Sequence, residues 1–311
     1  VSGTVVTTLR LPEAAARLLS EVSDVRGPDG WEDAMGEAAA LIPILGVRVD
    51  EALLARAPRL RVVACATVGY EHVDVDACRA RGIRVTNTPD VLTEATADLT
   101  WALILATVRR LPQAERSLRA GEFHGWAFWD YLGGDLLGRT LGILGMGRIG
   151  RAVARRGRAF GMDIRYHSRT RLPPAEESAI GAVWAERDEL LGVSDVLSLH
   201  APLTESTRHV VDAGALARMK PEAVLINTAR GPLVDEGALV AALEAGRLAG
   251  AGLDVYEHEP ELHPGLLALG NVVLLPHIGS ATRETRTRMA MLAARNAHAV
   301  LSGREPPNPV G

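Results

Sequence analysis

Two cysteines, one lysine (Lys220) and one glutamine (Gln113) are all that this 311-residue chain has of those residue types. Each scarcity excludes something. Cys65 and Cys78 are too few for a disulfide framework or a cysteine metal cluster, and both lie in apolar or helical-looking sequence that makes them inert thiols. No His/Cys/carboxylate spacing supports a metal site either. No apolar run approaches the roughly 20 residues that cross a bilayer. The N-terminal Val-Ser-Gly-Thr-Val-Val lacks a charged region followed by a long apolar core. No signal peptide is therefore expected, and the cytoplasm is the expected location. A net charge of −4 gives no electrostatic reason to expect nucleic acid or an anionic membrane as partner. Lys220 stands alone among 34 basic side chains. A GC-rich genome and adaptation to heat would both produce this, and composition does not separate them. Internal short-period repeats and low-complexity segments are also missing.

What remains is an ordinary globular composition, 47% hydrophobic and 23% charged, at a length that suggests two domains. Short apolar runs alternate with helical patterns, which indicates an α/β protein with parallel sheets. Strands are predicted at 4–8, 41–45, 61–66 and 83–86, then at 140–145, 163–168, 196–201, 223–228, 250–254 and 272–276. The first set predicts a small doubly wound domain over 1–94. The second predicts a cofactor domain over 95–282, and the chain returns to the first domain over 283–311. Crossings near 90–96 and 280–285 could form a hinge. A helix from Thr93 to Leu111 is apolar almost all round and must be buried, in the core or against a partner subunit. An aromatic loop, Phe123 to Tyr131, follows it. A long helix from Thr282 to about Leu301 closes the chain, and Glu305–Pro309 reads as a frayed end.

Directly after Leu141-Gly142-Ile143-Leu144 comes Gly145-Met146-Gly147-Arg148-Ile149-Gly150. Strand, glycine turn and helix in this order form the fingerprint of a dinucleotide-binding unit. Gly145 permits the tight turn, Gly147 lets backbone approach a pyrophosphate, and Gly150 lets the helix pack on the strand. The helix N-terminus offers free N–H groups and a positive dipole end to the phosphates. The second strand of such a unit normally ends in an acid that holds the ribose 2′-OH. Eighteen residues past Gly150 stands Ser168 instead, followed by Arg169-Thr170-Arg171. A hydroxyl with flanking guanidiniums suits a 2′-phosphate, so NADP is expected, with NAD secondary. The ordinary alternative is a solvated arginine loop tolerating both cofactors.

Three polar groups follow later strands, where an open α/β sheet has its ligand crevice. Arg230 follows Leu225–Ala229, Glu259 closes Asp254–Glu259, and His277 follows Val272–Pro276. Reduction of a 2-oxo acid needs an arginine for the carboxylate, a histidine as proton donor, and a carboxylate that orients the ring. Singly, each residue also reads as a surface ion pair, a solvated acid or a turn histidine. Together, downstream of the glycine loop, they form a catalytic constellation.

These residues stand within longer matching runs: Val68–Asp74, Gly82–Thr93, Ala95–Asp98, Ala229–Gly231, Gly252–Val255 and Pro276–Ser280. With them the chain resembles the D-2-hydroxyacid dehydrogenases, within them the glyoxylate/hydroxypyruvate reductase branch, from about residue 40 onward. The resemblance implies a Rossmann cofactor domain inserted into a smaller flavodoxin-like substrate domain. Arg230, Glu259 and His277 match the family's catalytic residues. The backbone amides of Val68 and Gly69 match the loop that holds the substrate carboxylate. Thr96, Pro202, Thr228, Ala229, Asp254 and Gly279 match positions lining the cofactor, Asp254 at the nicotinamide carboxamide. The resemblance also implies a homodimer through the 93–111 helix and the 123–131 loop. A tryptophan of that loop, Trp126 or Trp129, would reach the neighbouring active site; Trp129 is taken as the substrate contact.

The expected activity is NADPH-dependent reduction of glyoxylate and hydroxypyruvate to glycolate and D-glycerate. Phosphoglycerate- or phosphite-dehydrogenase chemistry on the same scaffold is the alternative, as is a dinucleotide-sensing corepressor-like protein. Glu259 argues against a formate dehydrogenase, which lacks the glutamate that pairs with the histidine. His200 is expected to be structural, and His72 to cap the helix beginning near Asp74.

Overall fold

The computed structural model describes residues 3–310. It divides into two compact units, one running to Leu92 and resuming at Ser280, the other spanning Thr93–Gly279.

The first unit runs β1 (Thr4–Thr7), α1 (Glu13–Ser20), β2 (Asp24–Arg26), β3 (Ala38–Ile42), α2 (Glu51–Ala55), β4 (Val62–Ala64), α3 (Val75–Ala80) and β5 (Arg84–Thr86). Its central strands are apolar on both faces because helices cover both: Val5, Val6, Ala40, Leu41, Val62 and Val63 are fully buried. Asp50 and Asp74 cap α2 and α3, their Oδ1 atoms accepting the N–H groups of Leu53 (3.1 Å) and Ala77 (2.8 Å). The cap expected of His72 is thus supplied by Asp74. Cys65 and Cys78 are buried free thiols, pushed up by burial to about 12 and about 11.

The second unit opens with α4 (Thr93–Val108) and α5 (Leu111–Arg119). The single helix expected over 93–111 therefore ends early. Arg110 adopts φ +53°, and Pro112 sits in the first turn of α5, where its missing N–H costs no hydrogen bond. Most of the apolar surface of α4 lies in the core of its own unit: Ala97, Trp101, Leu103 and Ile104 are buried. Trp101 stacks on Phe160 at 4.4 Å and donates its indole N–H to the Val153 carbonyl (3.1 Å). There follow β6 (Thr140–Leu144), α6 (Arg148–Ala159), β7 (Asp163–His167), α7 (Pro174–Ile180), β8 (Ala182–Trp184), α8 (Arg187–Val193) and β9 (Val196–Leu199). Then come α9 (Ala213–Arg218), β10 (Val224–Asn227), α10 (Glu236–Glu244), β11 (Gly250–Leu253), α11 (Pro264–Ala268) and β12 (Val272–Leu274). The seven strands lie parallel in the order β12-β11-β10-β9-β6-β7-β8. This is the Rossmann order with one added strand, and its switch point falls between β6 and β9.

The chain re-enters the first unit as α12 (Arg283–Leu301), capped by Thr282, and ends in β13 (Pro309–Val310). The completed sheet reads β13-β5-β4-β3-β1-β2, flavodoxin-like apart from its last member. β13 corrects the frayed-end expectation. It pairs antiparallel with β5, and Asn308 is held by the Asn296 side chain through its N–H (3.0 Å).

Candidate active site

The glycine loop leaves β6 and enters α6. Gly145 has φ +100°, and a Cβ there would lie 2.5 Å from the Ala201 nitrogen, so the turn is wedged against the loop after β9. A Cβ on Gly150 would meet the Gly145 carbonyl oxygen at 2.3 Å. Gly147, the N-cap of α6, is different: a Cβ there would meet nothing within 4 Å. Gly147 thus faces open space at a helix N-terminus, the cradle a pyrophosphate requires. On this observation the residues fit a dinucleotide.

The loop after β7 is more constrained than its sequence suggests. The Ser168 hydroxyl donates to the Thr170 carbonyl (2.7 Å), while Arg169 and Thr170 are exposed. Arg171 makes a two-point ion pair with the Glu177 carboxylate, Nε to Oε1 and Nη2 to Oε2, each 2.9 Å. Glu177 also accepts from the fully buried Tyr166 hydroxyl (2.7 Å), which in turn accepts the Leu172 N–H (2.8 Å). Hydrogen bonds from Arg171 and then Tyr166 hold the Glu177 carboxyl below the usual carboxylate range. Both arginines expected to face a 2′-phosphate are exposed, and Arg171 is in addition paired with Glu177 through Nε and Nη2. Glu177 lies beyond Pro173-Pro174 and carries no signal in sequence that would have paired it with Arg171.

At the other end of the sheet His277 follows β12 in the left-handed region, at φ +54°. Histidine tolerates that conformation better than most residues, and such outliers concentrate at functional sites. Its Nδ1 lies 2.8 Å from Glu259 Oε2, and Oε1 of the same carboxylate accepts the Tyr256 N–H (2.9 Å). Burial works to raise the Glu259 carboxyl, but the hydrogen bonds from His277 and Tyr256 outweigh it and hold it below its ordinary value. Asp254, 1% exposed, accepts the N–H groups of Ile278 and Gly279, each at 2.7 Å. Expected at the nicotinamide carboxamide, it spends both oxygens on the loop that carries His277. Burial raises its carboxyl above the usual range.

Arg230 leaves β10 through a short turn. Asn227 fixes that turn at both ends, donating to the Arg230 carbonyl (2.9 Å) and accepting the Ala229 N–H (3.0 Å). A Cβ placed on Gly279 would contact Asp254 and Thr96 together, which brings those three expected positions side by side. Thr228 shares a 2.8 Å hydrogen bond with Thr100, a residue the sequence reading missed. Its signal was present, since Thr100 stands one turn after Thr96 on the same helix face. Pro202 follows β9, its carbonyl accepting the Thr207 hydroxyl (2.7 Å). His200 is structural: burial lowers it to about 3, and Nε2 meets the Ser198 hydroxyl at 2.8 Å. In the first unit the Val68–Gly69 loop follows β4, with the Val68 carbonyl held by Asn87 and the Gly69 carbonyl by Thr67. Trp126 and Trp129 are 81% and 75% exposed, each edge-on to Phe128. Among the described residues no cluster suits a metal ion, and no helix is long and apolar enough to cross a membrane.

A Rossmann sheet with a phosphate cradle at its switch point and a carboxylate–imidazole pair at its strand ends defines an NAD(P)-dependent oxidoreductase. The family model for the NAD-binding domain of D-isomer specific 2-hydroxyacid dehydrogenases matches residues 101–279. A glyoxylate reductase of Aeropyrum pernix is 50% identical over 317 residues, spanning 97% of this chain and 94% of its own. One of Thermococcus litoralis is 46% identical over 316 residues, with the same coverage. The structure of an NADPH-dependent glyoxylate/hydroxypyruvate reductase of Sinorhizobium meliloti, in complex with NADP and malonate, superposes with a TM-score of 0.89 at 38% identity, covering 100% of this chain and 97% of that one. The chain belongs to the D-isomer specific 2-hydroxyacid dehydrogenase family, whose members act on CH–OH donors.

Proposed function

We propose that the chain reduces glyoxylate and hydroxypyruvate to glycolate and D-glycerate with NADPH, NADH serving as the secondary cofactor. The Glu259–His277 pair carries this reading. A ring tied through Nδ1 to a carboxylate is fixed in tautomer and orientation, and it presents Nε2 as the proton donor. Glu259 stabilises the imidazolium from which that proton leaves. Arg230 binds the substrate carboxylate and polarises the carbonyl, supported by the backbone amides of Val68 and Gly69. With its pyrophosphate at the Gly145–Gly150 cradle, the cofactor would supply the hydride from its reduced nicotinamide. Thr96, Pro202, Thr228, Ala229, Asp254 and Gly279 line its site, and Ser168, Arg169, Thr170 and Arg171 receive the 2′-phosphate. Two relatives bearing the name glyoxylate reductase and an NADPH-dependent structural neighbour support the substrate and cofactor.

In this reading the second unit binds the dinucleotide and the first carries the carboxylate loop. The protein works in the cytoplasm as a homodimer, joined through the 93–111 helix and the 123–131 loop, whose Phe123, Trp126, Phe128 and Trp129 are exposed. Trp129 is our candidate for the residue that reaches the neighbouring substrate. The test is steady-state oxidation of NADPH and NADH against a panel of 2-oxo acids. Fastest turnover is expected with NADPH and glyoxylate or hydroxypyruvate. Tight NADPH binding without turnover of any 2-oxo acid would overturn the reading and favour a sensor.

A further inference from the structure

Three loops leave the C-terminal ends of β9, β10 and β11, and they meet at Glu257, through its own carboxylate and that of Glu236. Glu257 lies two residues before Glu259 and is largely buried, its side chain 13% exposed. Its Oε1 meets His209 Nε2 at 2.5 Å on the loop after β9, and Arg208 Nη1 stands 3.9 Å away. The loop after β10 is engaged twice. The Glu257 N–H donates to Glu236 Oε1 (2.7 Å), and the Glu236 N–H points back at Glu257 Oε2 (3.5 Å). Glu236 opens α10 and is 5% exposed; burial holds its carboxyl above the usual range, and the charge on Glu257 adds to this. The β9 and β10 loops are also laced together, His209 N–H to the Pro232 carbonyl (2.8 Å) and Val211 N–H to the Leu233 carbonyl (3.0 Å). At the centre of this lattice Gly231 lies against Tyr256, where a Cβ would fall 1.8 Å from the Tyr256 carbonyl carbon. Arg230 precedes that contact on one loop, and Glu259 follows it on the other.

From this we infer that Glu257 is a positioning residue: it locks the Arg230 turn to the Glu259 turn, and so sets the substrate's carboxylate clamp against its proton donor. The inference rests on the roles given to Arg230 and to the Glu259–His277 pair above. Two groups on separate loops must hold one small acid within a fraction of an ångström, and a displacement of about 1 Å can cost about a hundredfold in rate. A buried acid at the crossing costs desolvation that an apolar residue would not, but only an acceptor can bind both a backbone N–H and His209.

The experiment compares Glu257→Ala, Glu257→Gln and His209→Ala in the full chain by two readouts. Amide hydrogen exchange over 230–236 and 254–259 requires no substrate. Faster exchange is expected in Glu257→Ala at Glu236, whose N–H loses its side-chain acceptor, and at Leu233 and Val234 before it, with the strands unchanged. With NADPH and glyoxylate, kcat/KM is expected to fall by about tenfold to a hundredfold, chiefly through a raised KM. The Kd for NADPH should stay within about twofold of wild type. Glu257→Gln keeps an acceptor and should recover most of the loss, and His209→Ala should show a smaller loss in the same direction. Unchanged exchange in Glu257→Ala, or kinetics within about twofold of wild type, overturns the inference. If the wild-type chain reduces no 2-oxo acid, the functional reading falls, while the exchange arm still decides whether Glu257 holds the two turns.

Discussion

Two ion pairs in the second unit use similar chemistry for different ends. At the end of β7, Glu177 takes both arms of Arg171 and the Tyr166 hydroxyl, and Tyr166 also accepts a backbone N–H. At the ends of β11 and β12, Glu259 takes one backbone N–H and one ring nitrogen of His277. The first arrangement spends its polar atoms on the protein. The second uses Nδ1 of the imidazole and keeps Nε2, the atom that can pass on a proton. Exposure does not separate the two pairs: the Glu177 side chain is 11% exposed but its Arg171 partner 60%, and His277 and Glu259 are 31% and 35% exposed. A perturbed carboxylate beside a cation is therefore a weak sign of catalysis on its own. What distinguishes the catalytic candidate is the kind of cation: an imidazole can pass on a proton from Nε2, whereas a guanidinium keeps its own.

The comparison can be broken most severely at His277. Replacement by Asn should lower kcat by about a hundredfold to ten-thousandfold, the range of a general acid, with little change in Tm; steady-state kinetics and a thermal melt check both. Arg230→Ala should likewise cripple turnover while also raising KM. Next is Glu259→Gln, for which about a tenfold to hundredfold loss in kcat is expected. On the structural side, Ser168→Asp should shift the NADPH-to-NADH preference by about tenfold, through repulsion of the 2′-phosphate. Arg169→Ala should raise KM for NADPH and leave NADH alone.

Tyr166→Phe should cost about 1–3 kcal/mol in denaturant unfolding, since it strips a partner from two buried groups, yet leave kcat with saturating cofactor unchanged. Loss of kcat in that variant would undo the distinction drawn here. The smallest effect is in acid. Glu177 binds its proton less readily folded than unfolded, so its contribution is present above the ordinary carboxylate pKa and is lost as pH falls through its lowered value. Glu177→Gln should thus destabilise the protein near neutrality and converge with wild type as the pH falls. Asp254 and Glu236 have the opposite sign: their raised carboxyls favour the fold at low pH, and that contribution fades as pH rises.

Much of this was legible in the sequence because each strand-end residue follows a strong apolar run. β6, β7 and β9 to β12 were all anticipated within a few residues of their ends, which placed Arg230, Glu259 and His277 after strands without any coordinates. The misses have local causes. β2 and β8, Asp-Val-Arg and Ala-Val-Trp, are three-residue edge strands too short to show a period. β3 begins at Ala38 rather than 41 because alanines are poor strand signals, and Pro43 stops it early. The break between α4 and α5 was available in Pro112, since the residue before a proline resists helix. The Arg171–Glu177 pair was not anticipated, because Glu177 lies beyond a proline turn and only the fold brings the two together. Glu257 and Glu236 were invisible for the same reason, being acids on separate loops.

A two-residue strand closes one edge of the first unit's sheet. β5 would present an open ladder along Val85 and Thr86, a template on which another chain could add a strand. β13 occupies it antiparallel and puts Pro309, which has no N–H to donate, at the new margin. Removing the residues after Gly303 would uncover that ladder, and clumping during expression would then reflect a lost cover strand rather than a damaged core.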